Sequence, residues 1–338
     1  MKLVYKREGE SAEGRPAFRF AGVPGSGRGI LRESLGRSGV MPSPPQPGEQ
    51  ALVRVGLLEA YKQFFDFEEA PFSVCPNPKF FYSSGSHAEG LDHLRYGIYE
   101  GLGFTMITGE PGTGKTMVLR YFIEQAGEDL KIVHILDPRM SPKELLRVVL
   151  ESLEVPRFPQ ADLTERELAE ELYELLLLAQ RQTKKVVILL DEAQGLDFES
   201  LESLRLISNL ETDSEKLIHI VLFGQTELEE RLRERKLRQF DQRILVRCHL
   251  RPLESEEIQP YIEHQLLVGK VDLGTEFLLQ STAKIYEISA GLPRMVNVLC
   301  ERAMMSAFLQ DTRKIAVQHV TEGWESLNRI GILERKRL

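Results

Sequence analysis

The sequence predicts an α/β protein whose parallel sheet, covered by helices on both faces, is followed by a small all-helical domain. Short apolar segments alternate with helical patterns in the middle of the chain, and this alternation is typical of a parallel sheet. Beyond Pro252 the strand patterns stop and only helical patterns continue. The five strand candidates are residues 104–108, 132–136, 186–190, 218–223 and 244–250.

The composition is that of an ordinary soluble protein. The chain has 338 residues, 42% of them hydrophobic and 28% charged, so a full hydrophobic core is expected. Its formal net charge of −8 argues against non-specific coating of nucleic acid. The three cysteines form no CxxC pair, which excludes a zinc ribbon and a disulfide framework. We expect no integral membrane segment and a cytoplasmic location, which is also compatible with peripheral attachment to the inner membrane.

Composition also divides the chain into four predicted parts. Residues 1–50 are rich in Gly, Ser, Pro and Arg, a mixture that cannot bury enough apolar surface to fold alone, so we predict a disordered extension over residues 1–56. Residues 57–252 are predicted to form the α/β domain and residues 253–328 the helical domain. Residues 329–338 form a basic tail.

Helix signals fill the spaces between the strands. Ser141 followed by Pro142 and Glu144 predicts a capped helix start, and Thr164 followed by Glu167 repeats the capping box. The other main helix candidates are residues 87–100, 117–126, 256–267, 275–289, 293–310 and 317–327.

A phosphate-binding loop follows the first strand. The pattern GxxxxGK[ST] lies between strand 104–108 and helix 117–126, which is the context that such a loop requires. Its glycines let backbone N–H groups turn toward phosphate oxygens, Lys115 reaches the β- and γ-phosphates, and the Thr116 hydroxyl completes a Mg²⁺ shell. The predicted nucleotide-binding residues are Gly109, Glu110, Pro111, Gly112, Thr113, Gly114, Lys115 and Thr116.

Two acids, Asp191 and Glu192, end the third strand. In phosphate-loop enzymes an Asp at this place holds Mg²⁺, and an adjacent Glu can polarise the attacking water. The alternative is a strand end with solvated acids. A second acid favours a hydrolase over a kinase, because a kinase takes its acceptor hydroxyl from its substrate.

Gln225 follows the fourth strand, at the edge where ligands of parallel sheets bind. We predict that it orients the lytic water, with Thr226 as second choice. Because residues 226–229 also resemble a capping box, a purely structural role as a helix start stays open.

Residues 229–251 are rich in basic side chains, and three interpretations stay open. They form a solvated face with mixed charges, or one arginine completes the site of a neighbouring subunit as an arginine finger. Arg243 is our choice for that finger, with Arg238 and Arg247 behind it. The third interpretation is DNA contact by Arg231, Arg233, Arg235 and Lys236.

Arg294 belongs to a helix entry, in which Gly291 permits a tight turn and Pro293 occupies the first helical turn. Spacing alone favours a surface arginine. The histidines show no metal-ligand spacing, so the only metal expected is the Mg²⁺ that arrives with the nucleotide, held by Thr116 and Asp191.

Taken in order, these motifs carry a family resemblance over residues 57–328. They are Asn77-Pro78-Lys79-Phe80-Phe81-Tyr82, His87, Tyr96-Gly97-Ile98, residues 109–116, Asp191-Glu192-Ala193-Gln194, Leu204-Arg205-Leu206-Ile207-Ser208-Asn209, Gly224-Gln225, Gln242-Arg243 and Gly291-Leu292-Pro293-Arg294-Met295-Val296-Asn297. The sequence thereby resembles the AAA+ ATPases of the general secretion pathway protein A type. The exosortase-associated and the Mu B-type transposition ATPases are relatives of that type.

The resemblance implies a P-loop NTPase of the AAA+ kind, with a five-stranded parallel sheet, a helical lid, ATP and Mg²⁺ as ligands, and nucleotide at the interfaces of a homo-oligomer. It makes Asp191 and Glu192 the Walker B pair, with Lys115 and Thr116 in Walker A. The remaining implied roles are sensor 1 for Gln225, the finger for Arg243 and sensor 2 for Arg294. The aromatic run before His87 would line the adenine pocket.

The predicted function is an ATP-hydrolysing switch that assembles or remodels a protein partner, such as a secretion, export or transposase component. A DNA-binding transposition or regulatory ATPase is the alternative. A third possibility is a nucleotide-gated scaffold with negligible turnover.

Overall fold

The computed structural model describes residues 47–153, 163–212 and 215–329. The chain divides into two compact units, Met1–Leu58 and Glu59–Leu338. Helix α1, Pro47–Phe65, is the first described element. The prediction of disorder up to residue 56 is therefore corrected for residues 47–56, because a proline is well suited to the first turn of a helix. Residues 1–46 and most of the predicted basic tail lie outside the described residues.

The second unit is built on a five-stranded parallel sheet with the strand order β2-β3-β4-β1-β5. All five predicted strands are confirmed, with ends that shift by at most two residues. The strands are β1, Phe104–Gly109; β2, Leu130–Ile135; β3, Lys185–Leu190; β4, Ile218–Gly224; and β5, Ile244–Leu250.

Burial explains why the strands differ in sequence. Every residue of β1 and β4 is buried, as expected for strands that are covered on both faces. Edge strand β5 alternates instead, with Leu245, Arg247 and His249 exposed between buried neighbours. One hydrophobic cluster lies on each face of the sheet.

Helices connect the strands: α2, Gly85–Tyr99; α3, Lys115–Gln125; α4, Pro142–Ser152; α5, Glu165–Arg181; α6, Phe198–Ile207; α7, Thr226–Leu232; and α8, Arg238–Asp241. The capping boxes predicted at Ser141 and Thr164 are both formed. The one considered for residues 226–229 is wrong, because the N-cap residue is Gln225 and its side chain caps nothing.

Four helices follow the sheet: α9, Ser255–Val268; α10, Leu279–Ser289; α11, Pro293–Leu309; and α12, Val317–Arg329. Two short parallel strands, β6 (Glu276–Phe277) and β7 (Lys314–Ile315), pair among them. The predicted helical region is confirmed, but no strand pattern after Pro252 predicted this short pair, and the helix expected from residue 275 begins at Leu279. Strands of two residues are too short to leave an alternating pattern.

The C-terminal helices have their own hydrophobic cluster, which includes Leu253, Phe277 and Met304. Aromatic residues from before the sheet, such as Tyr61 and Phe72, belong to this cluster. The domain boundary at residue 252 stays a prediction. Among the described residues, no helix combines the length and the apolar composition that crossing a membrane requires.

Candidate nucleotide-binding site

The candidate site lies at the carboxyl edge of the sheet. The phosphate-binding loop follows β1, Asp191 follows β3 and Gln225 follows β4. Since β4 pairs with both β1 and β3, these three strand ends are adjacent. Residues that are more than a hundred positions apart in the sequence therefore meet at one edge, where parallel α/β sheets bind ligands.

The loop itself is closed by Thr113, whose N–H and Oγ1 both donate to the Glu110 carbonyl, at 3.2 and 2.9 Å. Gly112 and Gly114 adopt positive φ values of 91° and 98°, which residues with a Cβ rarely adopt. A Cβ on Gly114 would lie 2.7 Å from Nε2 of His87. Both conformational freedom and close packing thus require glycine at residue 114.

Lys115 opens helix α3 and is nearly buried, with 7% of its surface exposed. Its Nζ donates to the Gly109 carbonyl at 2.7 Å and to the Glu110 carbonyl at 3.0 Å. Burial lowers the pKa of Lys115, while the acids Glu192, Asp191 and Glu110 oppose that shift. The ammonium group is therefore held on the loop by neutral carbonyl groups, which an anionic ligand can replace.

Thr116 and Asp191 are in direct contact, with the Thr116 hydroxyl donating to Oδ2 of Asp191 at 3.0 Å. Burial raises the pKa of Asp191, and hydrogen bonds from Thr116 and from the Glu192 N–H, 2.9 Å from Oδ1, partly offset that rise. A hydroxyl and a carboxylate side by side are the oxygen ligands that Mg²⁺ prefers. The donor set present here fits that cation.

Glu192 lies next to this pair with an exposed side chain and a left-handed φ of 51°. Its Oε2 accepts from Nε2 of Gln194 at 2.5 Å and from Nε2 of Gln225 at 3.3 Å. Oε1 of Gln194 in turn accepts from the Gln225 N–H at 3.1 Å. Gln194 therefore links both residues, although no role was predicted for it; its signal in the sequence was its place in the motif Asp191-Glu192-Ala193-Gln194.

Arg294 reaches the loop through its backbone. Its N–H belongs to the first turn of α11, where helical N–H groups have no acceptor within the helix. It donates to the Gly112 carbonyl at 3.2 Å, while the side chain is exposed. The predicted entry is confirmed, since Pro293 occupies the first turn of α11. Gly291 has φ +75°, and a Cβ on it would lie 2.0 Å from the Leu253 carbonyl oxygen. The C-terminal helices thus contact the loop directly.

Comparison with known proteins agrees with this geometry. The family model described as an AAA domain matches residues 98–232. General secretion pathway protein A of Aeromonas hydrophila is 40% identical over 255 residues, covering 75% of this chain and 46% of that protein. This chain belongs to the AAA+ ATPase family. The predicted resemblance to the general secretion pathway protein A type is confirmed, and the chain spans about half the length of that relative.

Solved structures share the AAA+ fold at low sequence identity. The ORC2 protein of Aeropyrum pernix, solved as ADPNP and ADP complexes, has a TM-score of 0.60 at 18% identity, covering 77% of this chain and 72% of that one. The ORC1 protein of the same organism, in complex with DNA, has a TM-score of 0.57 at 19% identity, covering 78% and 70%. The predicted fold class is confirmed.

Arg243 is the one predicted site residue that lies away from this edge of the AAA+ sheet. It directly precedes β5, whose start pairs with Phe104 and whose end, Leu250, pairs with Gly109. At about 3.3 Å per residue, that places its backbone roughly 20 Å from the loop. Its Nη1 donates to Oδ1 of Asn209 at 2.5 Å. Arg243 and the chain's own loop are therefore not brought together.

Arg139, for which no role was predicted, follows β2. This strand is next to β3, which Asp191 and Glu192 follow. Its guanidinium forms two hydrogen bonds with Asp137, at 2.9 and 2.8 Å. Its Cγ packs 3.0 Å from where a Cβ of Gly195 would lie. Asp137 raises the pKa of Arg139 most, and Glu192 contributes in the same direction, so a positive charge stands near Glu192. No motif marked this residue.

The basic residues considered for DNA contact largely engage the chain's own groups. Nη1 of Arg231 donates to the Gln194 carbonyl at 3.0 Å. Arg233 lies 4.0 Å from a Glu229 oxygen and Lys236 lies 3.1 Å from a Glu234 oxygen. Arg247, considered behind the finger, pairs with Asp241 at 2.9 Å.

One other group of possible metal ligands lies outside the site, on α2 and β5. Ligand atoms of Glu89, His93 and Cys248 all lie within 4.8 Å of one another. Glu89, however, already pairs with Arg251 at 3.3 Å, and burial raises the pKa of the Cys248 thiol to about 11. A guanidinium beside the group and a protonated thiol within it both disfavour a cation.

Proposed function

We propose that this chain binds Mg·ATP at the carboxyl edge of its sheet and hydrolyses it. The contact between Thr116 and Asp191 is the observation that carries the proposal, because it joins the loop after β1 to the strand end after β3. Lys115, held only by loop carbonyls, supplies the positive charge beside that contact. A buried cation, a hydroxyl and a carboxylate together match the requirements of a triphosphate with its metal.

In the proposed complex Lys115 exchanges the carbonyls of Gly109 and Glu110 for β- and γ-phosphate oxygens. Thr116 and Asp191 would hold Mg²⁺, which neutralises charge that develops on the phosphates. The loop N–H groups and the start of α3 contribute further positive potential.

Glu192 is the proposed general base. Gln194 and Gln225 hold its carboxylate, and an exposed acid beside the loop can accept a proton from water. Gln225 is suited to report on the γ-phosphate, because it touches Glu192 and lies directly after β4.

Arg294 and Arg243 are proposed to act from different directions. Arg294 starts a helix that already contacts Gly112, so its side chain can fold toward the γ-phosphate of the same chain. Arg243 lies at the amino ends of the strands, opposite the loop, and can serve only the site of a second copy. We therefore propose a homo-oligomer with nucleotide at its interfaces and residues 253–328 as its lid.

The proposed output is assembly or remodelling of a protein partner. Similarity to General secretion pathway protein A supports a partner in secretion or export machinery. The alternative of DNA binding finds less support, because Arg231 already donates to the Gln194 carbonyl within the chain. Retention on DNA at low salt, dependent on ATP, would favour that alternative instead.

The proposal is tested by calorimetric titration of Mg·ADP into the wild type, Lys115→Ala and Lys143→Ala. Lys143 lies on α4, outside the loop, so the third protein is a matched control. Wild type and Lys143→Ala should bind alike, and Lys115→Ala should lose at least tenfold in affinity. Equal affinity of all three proteins would refute the proposed site.

A further inference from the structure

His87 is a buried histidine to which no part of the proposed mechanism assigns a role. It lies in the first turn of α2, after the N-cap residue Ser84, and only 5% of its surface is exposed. Nε2 lies 2.8 Å from the Thr113 carbonyl oxygen and Nδ1 lies 2.6 Å from Oγ of Ser84. Both ring nitrogens therefore have partners, and one partner is the backbone of the phosphate-binding loop.

These partners determine where the proton of the imidazole lies. A carbonyl oxygen can only accept, so Nε2 carries the proton and donates it to Thr113. Nδ1 then accepts from the Ser84 hydroxyl, whose oxygen also accepts from the His87 N–H at 3.3 Å. The rings of His87 and Phe81 pack edge to face, with centroids 5.9 Å apart. Burial lowers the pKa of His87 against the smaller opposite effects of the Thr113 carbonyl and Glu257, which favours the neutral ring.

The ring contacts the loop at two adjacent residues, Thr113 and Gly114. The hydrogen bond to Thr113 directs that carbonyl toward α2 and away from the concave side of the loop. Gly114 packs against the same nitrogen, since a Cβ there would lie 2.7 Å from it. The following N–H groups, those of Gly114 and Lys115, belong to the set that phosphate loops turn toward their anion.

We propose that His87 is a positioning residue for nucleotide binding: as a neutral Nε2–H donor it holds the Thr113–Gly114 backbone in the conformation that receives phosphate. This inference rests on the proposed nucleotide site. Ser84 supports it by donating to Nδ1, and helix α2, which begins directly after Ser84 and carries His87, supports the loop from outside. Loss of the donor leaves a buried carbonyl without its partner and frees the peptide to rotate.

The test compares two substitutions of similar volume, His87→Gln and His87→Leu. The glutamine amide can still donate to Thr113, whereas leucine fills the space without a donor. His93→Leu, on the same helix, is the matched control. The affinity for Mg·ADP is measured by calorimetry, and the unfolding midpoint is measured without nucleotide.

We expect His87→Leu to bind Mg·ADP at least tenfold more weakly than wild type, and His87→Gln and His93→Leu to stay within about threefold. A long-range ¹H–¹⁵N spectrum of the wild type should show His87 neutral and protonated at Nε2, with its signal assigned by its absence in His87→Gln.

Equal affinities of His87→Leu and His87→Gln, both shown to be folded by their unfolding midpoints, would overturn the inference. A ring protonated at Nδ1 in the wild type would overturn it even if neither variant folds. Binding by the wild type with no difference between these variants refutes only the role of His87. Failure of the wild type itself to bind Mg·ADP refutes the proposed site as well.

Discussion

At the scale of single residues, the acidic end of β3 shows how the candidate site is organised. Asp191 is buried against Thr116, whereas the adjacent Glu192 is exposed and held by two glutamines. The backbone of Glu192 is left-handed, with a φ of 51°. The two neighbouring acids can thus take separate roles, Asp191 as a metal ligand and Glu192 as an acceptor of a proton from water.

Gln194 gives a prediction at this scale. Gln194→Ala removes the amide that donates to Glu192 and the oxygen that accepts from the Gln225 N–H. Because a hydrogen bond to a charged group contributes about 1.5–3 kcal/mol, we expect turnover to fall roughly ten- to a hundredfold with Mg·ADP affinity unchanged. Steady-state kinetics check this, with Gln180→Ala on the surface of α5 as the control. Turnover equal to that of the control would show that Gln194 does not orient Glu192.

Sequence reasoning predicted the loop, the acids and Gln225 because each lies next to a recognisable strand. It missed His87 and Arg139 as site residues because the contacts that bring them to the site, with Thr113 and Gly195, are not local. The bond from His87 to Thr113 joins residues 26 positions apart, and nothing in the pattern around His87 records it. Arg139 follows a strand whose end carries no motif, so only the sheet order reveals that it lies near Glu192.

At the scale of elements, the junction between the sheet and α11 depends on Gly291. Its φ of +75° and the 2.0 Å approach to the Leu253 carbonyl leave no room for a side chain. The same turn places the start of α11 against Gly112. The sequence predicted the turn and the proline, but the contact with Leu253 joins two segments that only the fold brings together.

Gly291→Ala should therefore be more destabilising than the same change at a glycine with free space. Gly101 is the matched control, since its φ is +67° and nothing lies within 4 Å of its Cβ position. Strain in the left-handed region costs about 1–2 kcal/mol. We expect Gly101→Ala to lose about that amount and Gly291→Ala about 3 kcal/mol or more, because the backbone of Leu253 must also move. Urea unfolding measures both, and equal losses would contradict the packing described.

The sheet also contains a titratable group on β4, His219. Nε2 of this buried histidine lies 3.0 Å from Oγ1 of Thr105, and burial lowers its pKa to about 3. The folded state therefore favours the neutral ring. The neutral His219 contributes fully to the free energy of unfolding above the unfolded pKa of about 6.5. This contribution is lost as the pH falls from there toward 3.

His219→Leu should remove part of the pH dependence of folding. Between about pH 5.5 and 4 the wild type should lose about 1.4 kcal/mol per pH unit more than the variant, because nearly one proton is taken up on unfolding in that range. The free energy of unfolding from urea titrations at several pH values measures this. Parallel curves for the two proteins would show that His219 is not held neutral.

At the scale of the whole molecule, the length of the strands separates two candidate groups that lie on neighbouring strands, β1 and β5. The loop lies at the carboxyl edge and Arg243 at the other, so a single chain cannot combine them. Sequence order alone could not show this, since Arg243 and Leu250 are close along the chain. Parallel strands carry them to opposite edges, which is why a second copy enters the proposal.

Mixing two inactive variants tests that arrangement. Arg243→Ala and Glu192→Gln should each be impaired alone. In mixed assemblies, an interface with an intact Glu192 from one chain and an intact Arg243 from the other should regain turnover. If the interfaces form at random, about a quarter of those in an equal mixture combine an intact Glu192 with an intact Arg243. We therefore expect roughly a quarter of the wild-type rate, because an arginine finger accelerates turnover by a large factor. No recovery from subunits that demonstrably exchange would place Arg243 outside the site.

The most direct measurement of the central claim is steady-state ATP turnover by the wild type and by Glu192→Gln in the presence of Mg²⁺. A general base contributes about 10²–10⁴-fold, so the variant should retain Mg·ADP binding but lose at least a hundredfold in turnover. Equal turnover by the two proteins, or none by the wild type in any assembly state, would contradict the account.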